Sequence, residues 1–84
     1  EFEIATIKLK FSEKRLNYVL TKPIHGTQKL DATADTKDII KIEVIPNREL
    51  YQLLLSFGAD VEVISPQHVR EEMKEKIEKM KNNY

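Results

Sequence analysis

The chain has 84 residues, with 14 Lys and Arg against 14 Asp and Glu, no Cys and no Trp. That length holds one small domain with a single modest core, and the absence of Cys excludes disulfides, thiolate metal sites and redox pairs. A net charge of zero removes the whole-molecule field that draws basic domains to nucleic acid, and no apolar run approaches the roughly 18 residues of a membrane span.

The first periodic segment is Ala5-Thr6-Ile7-Lys8-Leu9-Lys10-Phe11, whose strict alternation predicts a strand covered on one side and wet on the other. Ser12 is a suitable N-cap. Leu16, Val19 and Leu20 follow at helical spacing, so a short helix is predicted over 13–21, stopped by Pro23. Ile24 to Gln28 reads as a loop, Lys29 to Thr33 as a short polar strand suited to a sheet edge, and Asp35-Thr36-Lys37-Asp38 as a tight turn. Ile39 to Ile45 is the strongest strand and completes a hairpin. Asn47 caps a second helix carrying Leu50, Leu53, Leu54 and Phe57, and Gly58 is placed to close it. Val61 to Ile64 reads as a fourth strand, ended by Ser65-Pro66. The last helix runs from Gln67 to about residue 82 or 83, with Val69, Met73, Ile77 and Met80 forming a narrow apolar stripe.

The order strand-helix-strand-strand-helix-strand predicts an α+β fold. It is that of a ferredoxin-like βαββαβ sandwich: a four-stranded antiparallel sheet with two helices on one face and an additional C-terminal helix. The first and third strands, the most hydrophobic, are expected at the centre. The whole of 1–84 reads as one domain. A start at Glu1 without Met reads as a piece of a longer chain, with 1–4 a linker remnant or tag and 67–83 the C-terminal helix.

Chemistry-bearing residues are few. His25 and His68 lie far apart in sequence, and no nucleophile motif surrounds Ser12, Ser56 or Ser65, so no catalytic site is expected. No metal site and no cofactor are expected either, because three or four ligands at suitable spacing are missing. Base-stacking of the RRM type needs aromatics on the central strands' polar faces, and neither strand has one. What remains is a local excess of positive charge in the first 30 residues, from Lys8, Lys10, Lys14, Arg15, Lys22 and Lys29. Beside it stands the polar cluster His25-Gly26-Thr27-Gln28.

Four stretches of the chain resemble the WCX domain, the C-terminal extension of bacterial WYL-domain transcriptional regulators. They are Ile7-Lys8-Leu9-Lys10-Phe11-Ser12; His25-Gly26-Thr27-Gln28; Asn47-Arg48-Glu49-Leu50 running on to Ser56-Phe57-Gly58; and Val61 to Pro66 followed by Val69-Arg70-Glu71-Glu72-Met73. Ile24 stands where the family commonly has an aromatic. The resemblance implies a non-enzymatic, cytoplasmic regulatory module. Its partners would be a WYL barrel and a winged helix-turn-helix in the parent chain. DNA would be bound only through that N-terminal module, and the extension would help with homodimer assembly and with contact to an effector such as single-stranded nucleic acid. Candidate contact residues on a basic and polar edge are Lys8, Lys10, Arg15, His25, Gln28 and Lys29; the candidate assembly surface is Val69, Met73, Ile77 and Met80. The alternative is a small-molecule effector domain of ACT-like type, which shares the fold. An acylphosphatase-like enzyme is set aside, because Ser12-Glu13-Lys14-Arg15 has no glycines to form an anion cradle.

Overall fold

A computed structural model describes residues 3–31 and 39–84. It is a mixed α/β fold with a four-stranded antiparallel sheet and three helices. In chain order the elements are β1 (Ala5–Phe11), α1 (Glu13–Thr21), β2 (Lys29–Leu30), β3 (Ile39–Val44), α2 (Arg48–Ser56), a 3-10 turn (Gly58–Asp60), β4 (Val61–Ser65) and α3 (Gln67–Lys81). The strand order is β2-β3-β1-β4, so the two most hydrophobic strands hold the centre, as expected. The turn expected at 35–38 and the end of the polar strand at 32–33 lie outside the described residues.

Alternation in the sequence becomes two faces of the sheet. Ile7, Leu9 and Phe11 on β1, Ile40, Ile42 and Val44 on β3, and Val63 on β4 are buried. Register aligns these positions: Leu9 lies opposite Ile40 and Val63, and Ile7 opposite Ile42. Helices α1 and α2 cover this face with Val19, Leu50 and Leu54, and Phe57 meets Phe11 edge-on at 5.2 Å between ring centres. Helix placement differs from expectation in one respect. The third helix packs on the domain itself: Val69 and Met73, expected on an assembly surface, belong to the same core as the other two helices.

Local chemistry explains where the helices begin and end. Ser12 accepts from the Arg15 N–H at 3.3 Å, and Asn47 Oδ1 accepts from the Leu50 N–H at 2.9 Å; each satisfies an amide the helix cannot pair internally. Gly58 follows the C-cap residue Phe57 with φ of 61°, the left-handed conformation that glycine adopts without a Cβ penalty. Leu20 and Leu53, expected on the apolar stripes, stay partly exposed, because a helix of about two and a half turns lying on the sheet buries a narrower arc than sequence spacing counts. Between α2 and α3, Lys76 lies over the Tyr51 ring at 5.2 Å. Burial, and then the Glu72 charge, raise the Tyr51 phenol above its ordinary 10.0.

The centre of the core is the place to test this packing. Leu9→Ala removes a fully buried side chain from the middle strand and is expected to cost about 2–5 kcal/mol. Urea unfolding should show a lower midpoint with an unchanged slope.

Candidate functional site

The residues expected to form one basic and polar edge fall into three separate places. Lys8 and Lys10 stand on the face of β1 opposite the core, and Lys29 on the same face of β2. Arg15 is elsewhere, on α1. There its Nε donates to Asp60 Oδ2 at 3.3 Å, while the Ser12 hydroxyl donates to Asp60 Oδ1 at 3.0 Å. Arg15 also lies 5.8 Å from the Tyr18 ring centre. These contacts tie the start of α1 to the turn before β4, which is a structural task.

The His25-Gly26-Thr27-Gln28 cluster is the third place, and two of its side chains hold the fold together. The Gln28 amide donates to the Val19 carbonyl at 2.8 Å, and its oxygen accepts from the Ile24 N–H at 2.9 Å. One side chain thus satisfies a carbonyl in the last turn of α1 and pins the loop that follows. Thr27 sits beside β3 beyond the end of β2, where its Oγ1 accepts from the Glu43 N–H at 2.8 Å and lies 3.2 Å from the Glu43 carbonyl. His25 Nδ1 is 2.8 Å from that hydroxyl and accepts from the Thr27 N–H at 3.1 Å. The Thr27 hydroxyl thus lies within hydrogen-bond distance of both the His25 ring and the Glu43 carbonyl. His25 and Ile24 also border a shallow cleft of about 320 Å³ whose walls include Ile42, Val44, Asn47 and Leu53.

One residue that sequence reasoning missed completes the lysine-bearing face. Lys41 on β3 lies directly opposite both Lys8 on β1 and Lys29 on β2. Alternation already placed Lys41 on the polar side of its strand, but only the register reveals its neighbours. Lys8 Nζ contacts Asp31 Oδ2 at 3.1 Å, and the Asp31 side chain is 3% exposed. Lys10, further along β1, faces Ile39 on one side and Glu62 on the other.

The apolar stripe on α3 divides in two. Val69 and Met73 are consumed by the domain's own core, whereas Ile77 and Met80 are 51% and 49% exposed. Only the second half of the proposed assembly surface is accessible. Among the described residues no cluster of three or more His, Cys, Asp or Glu could hold a metal, and no helix is long and apolar enough to cross a membrane.

The different roles of Gln28 and His25 can be separated by mutation. Gln28→Ala strands a helix-end carbonyl and a loop amide, and is expected to cost about 1–3 kcal/mol. His25→Ala removes an exposed ring and is expected to stay within about 0.5 kcal/mol. Thermal unfolding of the two variants side by side checks the difference.

Comparison with the curated proteins gave no match. Comparison with family models gave one over nearly the entire chain: the model described as the WCX domain matches residues 3–81. That span takes in every strand and helix described above, from β1 to the last turn of α3, and the chain belongs to the WCX domain family.

Proposed function

We propose that this chain is a non-enzymatic regulatory and assembly domain of a WYL-type bacterial transcriptional regulator, working in the cytoplasm beside a WYL barrel and a winged helix-turn-helix. The observation that carries the reading is the family match over residues 3–81. The reading takes the fold as a ferredoxin-like sandwich, supported by β1 and β3 at the sheet centre and by α1 and α2 sharing one core. In this role the sheet is a rigid platform. Its polar face contributes to effector contact, and dimerisation uses the exposed end of α3.

A side-chain argument favours α3 over strand pairing as the assembly surface. At the β4 margin the Arg70 guanidinium donates to the Val63 carbonyl at 2.7 Å and to Glu62 Oε2 at 3.3 Å. At the β3 margin Thr27 occupies the Glu43 backbone groups. A second copy approaching edge to edge would have to displace these contacts, whereas Ile77 and Met80 are open to it.

Two measurements test the reading. Removing residues 1–84 from the parent regulator should leave operator binding intact and abolish its response to a short single-stranded DNA effector; an unchanged response overturns the regulatory role. Ile77→Asp combined with Met80→Asp should shift a dimeric regulator toward monomer in sedimentation analysis, with folding unaffected because both side chains are half exposed.

A further inference from the structure

Helices α1 and α2 both cover the core face of the sheet, and a groove runs between them. One part of it, of about 480 Å³, is walled by Arg15, Tyr18 and the C-cap residue Lys22 on the α1 side and by Leu53, Ser56 and Phe57 on α2. Spacings of three and four residues put Arg15, Tyr18 and Lys22 on one side of their helix. This part joins the shallow cleft beside His25, because Ile24 and Leu53 border both. From Glu49 to Phe57 the groove follows α2 for about 12 Å, at about 1.5 Å per residue.

The lining is apolar along the middle, and its charges are sorted by end. Tyr18 and Leu53 are 49% and 36% exposed, so carbon surface here is still wet and is available for a ligand to dry. At the Phe57 end, Arg15 gives Nε to Asp60, while its two Nη groups form no hydrogen bond among the described residues. Lys22 joins no ion pair among them either. The Ser56 hydroxyl donates to the Leu53 carbonyl and has no proton left to offer. Asp60 balances one of the two cations, so this end carries a single net positive charge. The other end is bordered by the Glu49 carboxylate.

We propose that the groove between α1 and α2 binds a small monocarboxylate with an apolar tail. Its carboxylate is held between Arg15 and Lys22, and its tail lies over Leu53 and Ile24 toward the His25 cleft. Charge selects this occupant. One net positive charge matches one carboxylate, whereas a doubly charged phosphate ester over-fills it. A second acid at the far end of the ligand would meet Glu49, so dicarboxylates and extended polyanions are refused. The volume falls within the range of about 300–1,000 Å³ usual for small-molecule sites. The site lies in the helix layer, on the other side of the sheet from Lys8 and Lys41 and away from the exposed end of α3. It goes beyond the regulatory reading and does not rest on it.

Nuclear magnetic resonance titration of the 84-residue chain with sodium octanoate at neutral pH tests the groove directly. Amide shifts should move saturably at Tyr18, Lys22, Leu53 and Phe57, with a dissociation constant of about 1 mM or below. 1-Octanol, which lacks the charge, and octanedioate, whose far end meets Glu49, should each bind about threefold more weakly or worse. Lys22→Gln should weaken octanoate about threefold and leave 1-octanol unchanged. Leu53→Asp, at a partly exposed position, should abolish binding of both, with a dispersed amide spectrum showing that the variant is folded. Lys81→Gln, at the far end of α3, should change nothing. Absence of saturable shifts, shifts centred on Ile77 and Met80, or equal affinity for 1-octanol or octanedioate would each overturn the proposal. So would a Lys22→Gln affinity equal to that of the unaltered chain, or tighter binding of a capped peptide bearing leucine and aspartate side chains than of octanoate.

Discussion

The antiparallel register between β1 and β3 is the constraint on which both the fold and the candidate site depend. Placing Leu9 opposite Ile40 and Ile7 opposite Ile42 builds the centre of the core, and by the same alternation it places Lys8 opposite Lys41. The two outcomes cannot be adjusted separately. A slip of one residue would turn the isoleucines to water and the lysines inward, so the burial of six apolar side chains on these two strands holds the lysines in line. The hydrophobic effect thus pre-organises a charged surface, and the repulsion within that surface is small beside the burial that enforces it.

Around this centre, the chain closes its own margins with side chains. Arg70 reaches back from α3 to the carbonyl of Val63, Thr27 stands in for a strand neighbour at Glu43, and Gln28 bridges the end of α1 and the following loop. These are polar devices on a domain too small to spend further strands or helices on covering its edges. They also explain why the His25-to-Gln28 cluster looked functional in sequence. Residues that make several specific hydrogen bonds are constrained whether their partner is a ligand or the backbone, and here Thr27 and Gln28 bind backbone.

Much of the architecture was legible in the sequence because it rests on local chemistry. Ser12 and Pro23 bracket α1, Asn47 and Gly58 bracket α2, and alternation marks β1 and β3, all signals that act within a few residues. The candidate site was less legible for a physical reason. Whether Lys8 has Lys41 or some other residue beside it is decided by strand register, a property of two segments far apart in sequence. Arg15 was grouped with the lysines by proximity in sequence, yet the helix carries it away to Asp60. The stripe on α3 was correctly read as apolar, but its division into a buried half at Val69 and Met73 and an exposed half at Ile77 and Met80 depends on where the sheet ends beneath it.

The side-chain contacts at Val63 and Glu43 would matter most if copies of the domain were held close together. When two copies are tethered side by side in one assembly, each sees the other at an effective concentration that reaches the millimolar range for short flexible linkers. At that concentration an unguarded strand would invite exchange of segments between neighbours or growth into fibres. With Arg70 seated on the Val63 carbonyl and Thr27 on the Glu43 backbone groups, a neighbouring strand would have to displace these contacts to pair there.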